Sequence, residues 1–255
     1  MWPRRLVLVV GTGTDVGKTW VSAQLLSTLR KAGVTVAARK PAQSFDPGDD
    51  PAGFDSAILG AATGEASESV CRPSRWYEVA MAPPMAADAL GRGSFTVAEL
   101  VEEVSWPPSQ VDVGLVETAG GVRSPQTHDG DAVTLLSALA PDIVLLVADA
   151  GLGTINAVRL SAGAIGGSDV GAGAGAGAGV DTGARRAGAG NAGAGNAGAG
   201  NAGGGSAKVV VVLNRFDGRN DLHVRNRRWL TEQDNMCVVA VPGEEEELAA
   251  LVRGQ

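Results

Sequence analysis

Six short apolar runs punctuate the chain, at residues 6–10, 34–38, 113–116, 143–147, 209–213 and 238–241. Each is a continuous block rich in β-branched residues, without the in-out alternation of a strand that has one wet face. That is the pattern of strands buried on both faces. Between them, apolar positions recur at helical spacing over 19–32, 55–62, 97–104, 131–138, 155–165 and 222–233. Strands alternating with helices imply parallel strands joined by right-handed crossovers. The pattern predicts a doubly wound three-layer α/β/α fold with a mostly parallel sheet. Ligands in such sheets sit at the carboxyl ends of the strands, so the residues just after each run are where chemistry is sought.

One stretch breaks the pattern. From about 166 to 207 the chain is nearly all Gly and Ala, and the pentapeptide Gly-Ala-Gly-Asn-Ala occurs at 188–192, 193–197 and 198–202. With almost no side chain to bury, such a tract is expected to be a disordered loop, the alternative being flat silk-like β-stacking. Closing a connection of this length costs about 2 kcal/mol, so a stable domain can carry it. The expectation is one domain over residues 1–255, interrupted between a helix and a strand, since 255 residues suit one sizeable α/β unit and are short for two.

Charge and cysteine content narrow the function. Net charge is −7, with no block of like charge except 244–247, which argues against a nucleic-acid partner. Cys71 and Cys237 are far apart and lack metal-ligand spacing, as expected for reduced residues of a cytoplasmic protein. The run at 6–10 is too short for a signal sequence, and no run of about 18 apolar residues predicts a membrane span.

The chemistry follows the first strand. Gly11-Thr12-Gly13-Thr14-Asp15-Val16-Gly17-Lys18-Thr19 lies between a strand and a helix. Backbone N–H groups of such a loop converge on an anion, and the helix N-terminus adds partial positive charge. Lys18 would serve the β- and γ-phosphates of a nucleotide, and the Thr19 hydroxyl would ligate Mg²⁺. The P-loop pattern has four residues between its glycines; Gly11 and Gly17 have five, a one-residue expansion.

After the second strand comes Arg39-Lys40-Pro41-Ala42-Gln43-Ser44. Position alone leaves Lys40 either a solvated strand-end lysine or a cation that steadies transferring phosphoryl charge and assists proton transfer. Asp55 is either a helix N-cap or a functional carboxylate. Glu117 ends a buried strand, where a carboxylate needs a partner and suits a magnesium ligand. Asn214 either hydrogen-bonds a base edge or caps a loop.

In order and spacing these residues resemble the dethiobiotin synthetase family over nearly the whole chain outside the Gly/Ala tract. Gly11, Gly17, Lys18 and Thr19 match its expanded P-loop, and Lys40, Pro41 and Ser44 its Lys-Pro-Val-x-Ser/Thr-Gly motif. Asp55 matches its aspartate before a helix; Val116, Glu117, Ala119, Gly120 and Gly121 match Val-Glu-Gly-Ala-Gly-Gly. Leu152, Gly153, Ile155 and Asn156 match a Leu-Gly-x-Ile-Asn loop, and Asn214 the asparagine after a late strand.

The resemblance implies ATP- and Mg²⁺-dependent closure of a ureido ring on 7,8-diaminononanoate with carbon dioxide. The nucleotide would then contact Asp15, Val16, Gly17, Lys18, Thr19 and Trp20, together with Asp55 and Glu117. Thr118, Ala119 and Gly120 would lie beside it, with Asn214, Arg215, Pro242, Gly243 and Glu244 around the base. Thr19, Asp55 and Glu117 would hold magnesium, and Lys40 would act at the carbamate and phosphoryl steps. Ser44 would touch the substrate, while Gly153, Thr154, Ile155 and Asn156 would receive its carboxylate from the other subunit of a homodimer.

Three positions depart from the family pattern: Thr118 and Phe45 replace glycines, and Pro84 stands where many members have histidine. All three are expected near the substrate or metal pocket, which keeps a homologue with lost or altered substrate open. A partition-type switch ATPase is the rival class, but its second P-loop lysine has no match among Thr12, Gly13 and Thr14.

Overall fold

The computed structural model describes residues 1–166 and 207–254. The expectation for the Gly/Ala tract therefore lies outside the described residues. In chain order the elements are β1 (Arg5–Gly11), α1 (Lys18–Lys31), β2 (Val36–Arg39), β3 (Gln43–Ser44), α2 (Asp55–Thr63), α3 (Ser67–Val70), β4 (Trp76–Tyr77), α4 (Pro83–Ala89) and α5 (Val97–Glu103). There follow β5 (Val113–Gly121), α6 (Ala132–Leu139), β6 (Ile143–Asp149), α7 (Thr154–Gly166), β7 (Lys208–Asn214), α8 (Asp221–Glu232), β8 (Val238–Ala240) and α9 (Glu245–Arg253).

Six strands form one parallel sheet in the order β2-β5-β1-β6-β7-β8. The chain leaves β1 towards one edge and later crosses to the other side, so the strand order reverses around β1. A crevice for ligands opens at that reversal.

Side-chain alternation splits the apolar runs between two cores. Val7 and Val9 of β1 pack with Val21, Leu25 and Leu29 of α1 and with Leu248 and Val252 of α9. Leu6, Leu8 and Val10 face the other way, towards Leu135 of α6, Val158 of α7 and Leu230 of α8. Both faces of the sheet are therefore dry, which is why its runs carry no polar alternation.

Three features were not expected from the sequence. A two-stranded parallel ribbon, β3 with β4, rests on a third small core of Ala42, Tyr77, Ala86, Ala87, Phe95 and Leu100. Pro83 and Pro84 open α4, where proline's missing N–H costs nothing. The acidic block 244–247 begins helix α9, whose first-turn glutamates complement the positive end of the helix dipole.

Candidate functional site

β1 runs into a loop whose shape only glycine permits at two points. A Cβ on Gly11 would lie 2.8 Å from the Gly13 carbonyl oxygen, and Gly17 has φ +88° with Asn214 Nδ2 only 2.0 Å from where its Cβ would be. β7 braces the loop from the neighbouring side. Asn214 Nδ2 donates to the Val16 carbonyl at 2.9 Å, and Arg215 Nη2 donates to that of Asp15 at 2.7 Å. The first turn of α1 carries no acidic residue, so its positive end faces the loop unneutralised.

Lys18 is buried and folds back on this loop, its Nζ donating to the Gly13 carbonyl at 3.2 Å. Burial, helped by the Lys40 charge, lowers its pKa to about 8, against the partial opposition of Glu117, Asp55 and Asp15. A nucleotide's phosphates would restore the full charge. ATP binding at pH 8, measured calorimetrically in buffers of different ionisation enthalpy, should therefore take up part of a proton. Lys18→Arg should abolish that uptake, because a guanidinium is already charged. Equal uptake by the two proteins would place the titrating group elsewhere.

Behind the loop lies a charged cluster drawn from four elements. Thr19 Oγ1 is 2.8 Å from both Asp55 Oδ1 and Glu117 Oε1, and Ser22 Oγ donates to Glu117 Oε2 at 2.7 Å. Lys40 Nζ reaches Asp55 Oδ2 at 2.6 Å, Glu117 Oε1 at 2.9 Å and the Thr118 carbonyl at 3.2 Å, which uses all three of its protons. Glu117 is 0% exposed and Lys40 3%, so Lys40 is not the solvated strand-end lysine its position allowed. Burial opposes the Lys40 charge, and the two carboxylates more than offset it, holding the ammonium well above the usual lysine range. Burial likewise opposes the Asp55 charge, but Lys40 and the Thr19 hydroxyl outweigh it and keep the carboxyl below the aspartate range.

Asp55 is the first residue of α2 rather than its N-cap, a position held by Phe54. Its side chain turns away from its own helix towards Thr19 and Lys40. The Thr19 hydroxyl has one proton for two carboxylate oxygens at equal distance. Three hard oxygen donors converging in this way fit a magnesium ion.

Thr118 causes no backbone strain. It lies within β5, is not among the residues at positive φ, and its hydroxyl donates to the Val9 carbonyl at 3.2 Å. Positive φ falls instead on Gly120, at +63°. Thr118→Gly is expected to lower stability by about 1–2 kcal/mol, through strand entropy and the lost buried hydroxyl bond. ADP release should change by less than about tenfold, since the departure from glycine already fits the strand. A larger gain in rate on that substitution would mean that the threonine obstructs the site.

Thr19, Lys40 and Asp55 of this cluster line a cavity of about 920 Å³, with Glu117 and Ser22 fully buried behind them. Ala119 and Gly120 line it, as do Asp15, Gly17, Ser44 and Phe45, whereas Thr118 stands behind the wall. Phe45 stacks on Phe54 with ring centroids 4.1 Å apart, forming an aromatic wall where the family has glycine. Pro83 lines the cavity, while Pro84, the expected neighbour, is buried within α4. A smaller cleft of about 330 Å³ is lined by Gly17, Trp20, Asn214, Arg215 and Pro242.

Some residues singled out from the sequence lie elsewhere. Gly243 and Glu244 are outside the lining of both spaces. The Glu244 carboxylate instead accepts the Ala240 N–H at 2.9 Å and pairs with Arg227 at 2.7 Å, holding the turn into α9. One Asn214 amide N–H caps the loop, and Asn214 also lines the smaller cleft, so the capping and base-contact alternatives are compatible. Gly153 precedes α7 and Thr154, Ile155 and Asn156 begin it; none of the four lines either space of their own chain.

Two residues that the sequence reading passed over shape the site. Ser22, one turn beyond Thr19 on α1, gives Glu117 its second hydroxyl donor; the i, i+3 spacing from Thr19 was the available signal. Gln126 clamps β5 by accepting the Ala119 N–H and donating to the Ala119 carbonyl, at 3.0 and 2.7 Å. No local pattern marks it.

Residues 5–171 match a family described as an AAA domain. The chain is 39% identical over 164 residues to the ATP-dependent dethiobiotin synthetase BioD of Haloferax mediterranei, covering 64% of this chain and 66% of that protein. It is 39% identical over 155 residues to the namesake from Caulobacter sp. K31, covering 60% and 66%. With that of Caulobacter vibrioides it shares 39% identity over 151 residues, covering 58% and 68%. The chain thus spans slightly less than two thirds of the length of the first two relatives.

Proposed function

This chain belongs to the ATP-dependent dethiobiotin synthetase family, and we propose that it closes the ureido ring of dethiobiotin on 7,8-diaminononanoate, using carbon dioxide and ATP, within one catalytic domain. The observation that carries this reading is the convergence of Lys18, Thr19, Lys40 and Asp55 on the wall of one cavity, with Glu117 buried behind them and bonded to Thr19 and Lys40. One amine adds to carbon dioxide and loses a proton, giving a carbamate. A carbamate oxygen then attacks the γ-phosphorus of ATP and ADP leaves. The second amine attacks the activated carbonyl and loses a proton, phosphate departs, and the five-membered ring closes.

Each step needs positive charge held still while negative charge moves. Lys18, the loop N–H groups and the start of α1 would bind the phosphates. Lys40 would meet the carbamate and the γ-phosphoryl, its ammonium fastened by Asp55 and Glu117 so that it need not reorganise. Thr19, Asp55 and Glu117 would hold Mg²⁺, which supplies Lewis-acid neutralisation of phosphate charge. Trp20, Asn214, Arg215 and Pro242 offer a cleft beside the loop for the base, with Val16 held between them and the phosphates.

The position of Gly153 to Asn156 supports a homodimer in which this segment completes the partner's site. Leu152 and Leu160 beside it are 92% and 69% exposed, an apolar edge suited to burial against a second copy. No helix among the described residues is long and apolar enough to cross a membrane.

ADP release measured with and without the diamine and bicarbonate tests the reading. Release should require both. Release that ignores the diamine would instead favour a different substrate, as the Phe45–Phe54 wall could impose, or the slow hydrolysis of a switch ATPase.

A further inference from the structure

β3 carries two polar side-chain atoms that are buried and unpaired, Gln43 Nε2 and Ser44 Oγ. Both residues line the larger cavity together with Lys40. Gln43 is only 2% exposed, so bulk water does not satisfy its amide. Its orientation is set from the opposite end. Gln43 Oε1 accepts the Ser56 N–H at 3.1 Å, one of the first-turn amides of α2 that have no partner within their own helix. An N–H can only donate, so the oxygen must face Ser56 and the NH₂ must turn away from it. A buried amide donor without an acceptor is costly and uncommon, and on a residue that lines a cavity it is open to a ligand acceptor after a small side-chain adjustment.

The chemistry of that atom follows. A protonated amine, the form an aliphatic diamine takes near neutral pH, offers the NH₂ no acceptor. Capture of carbon dioxide on the amine, with loss of one proton, creates a planar anion with two strong acceptor oxygens. Building on the synthetase reading, we propose that Gln43 is a substrate-binding residue whose Nε2 donates to a carbamate oxygen, holding the anion beside the Lys40 ammonium. Gln43 then distinguishes the carbamate from the diamine that precedes it. Phosphate oxygens offer the same acceptor chemistry, but they are served by the loop amides and Lys18 on a separate element.

Two variants test this. Gln43→Glu keeps an acceptor for the Ser56 N–H but replaces the unpaired donor with negative charge, while Gln43→Met removes both functions. Carbamate binding is read from ¹³C-bicarbonate NMR with the diamine present and ATP absent, alongside KM for bicarbonate and calorimetric ATP affinity. Both variants should raise KM for bicarbonate by at least about tenfold, Glu more than Met, and weaken the bound carbamate signal. ATP affinity should stay within about twofold.

A merely structural role reverses the order, because Met alone abandons Ser56; a larger loss in Met than in Glu overturns the proposal. An unchanged KM overturns it as well. Parallel loss of ATP affinity would put the amide on phosphate or mark it as structural, and is equally fatal. Failure of the synthetase reading shows separately, as wild-type protein that releases no ADP in response to the diamine.

Discussion

Replacing Lys40 with alanine is expected to slow the proposed ring closure by orders of magnitude and to lower the thermal midpoint of the ligand-free protein by about 6–12 °C. Both effects arise from the same contacts. Glu117 is fully buried, and among the described residues Lys40 is its only cationic hydrogen-bond partner; the remaining donors there are the hydroxyls of Thr19 and Ser22. Removing one member of a buried pair strands the other, at a cost of about 3–5 kcal/mol. Because Asp55 is partly exposed and Glu117 keeps hydroxyl partners, the lower end applies, about 3 kcal/mol.

The turnover loss should be about 10²–10³-fold or more, the scale for losing a positioned group that meets developing charge. The double variant Lys40→Ala/Glu117→Gln separates the two roles. It should recover much of the thermal midpoint and none of the activity, because it neutralises the stranded carboxylate without supplying an ammonium. Calorimetry and ADP release on the same preparations decide the matter. A Lys40→Ala protein with a wild-type midpoint would mean that the Lys40 contacts to Glu117 and Asp55 contribute no net stability to the ligand-free state.

The pH dependence has a definite sign. The Lys40 pKa is raised, so its contribution is complete below its ordinary value of 10.5 and is lost only well above that. The Asp55 pKa is lowered, so its contribution is present above 3.8 and is lost as pH falls through its folded value. Across the neutral range the cluster therefore contributes fully, and acid is the condition that weakens it.

Lys18→Ala should behave in the opposite way towards stability while losing nucleotide. Lys18 Nζ meets a carbonyl rather than a carboxylate, and its pKa falls to about 8, so its charge is held at a cost in the ligand-free protein. Stability should rise as pH climbs from about 8 towards the unfolded value of 10.5, where the unfolded chain binds more protons. Truncation removes that cost, and the ligand-free midpoint should hold or increase slightly. With ATP the balance reverses. Two charge-assisted contacts, to the β- and γ-phosphates, are worth about 1.5–3 kcal/mol each, so affinity should fall at least about a hundredfold. Calorimetric titration with ATP checks this, and near-wild-type affinity would remove the loop from the nucleotide site.

Much of this was legible along the chain. Strands buried on both faces must be continuously apolar, so all six runs of the large sheet could be read directly, to within about three residues at their ends, or five where β5 runs on past Glu117. The loop from Gly11 to Thr19 is also local: its strand, glycines, lysine and helix are contiguous, and the phosphate-binding geometry follows from backbone conformation. The ribbon of β3 and β4 was not legible, because two-residue strands carry no period. Helix α9 hid behind its own acidic first turn, which resembles a solvated charge block until Leu248 and Val252 are seen against β1 and α1.

Residue type and order alone determined that a phosphate loop, a strand-end lysine and two carboxylates would lie at one edge of a parallel sheet. Whether they touch was decided only by the tertiary structure. Thr19 and Glu117 are 98 positions apart, Lys40 and Glu117 are 77 apart, and their contacts depend on β5 settling between β1 and β2. That insertion also turned Lys40 from a surface lysine into a buried ion and seated Thr118 without strain. It further directed Asp55 into the site rather than onto its own helix. The physical reason is common to all of these. Burial and charge pairing are properties of the space around a side chain, and strand order, not sequence spacing, creates that space.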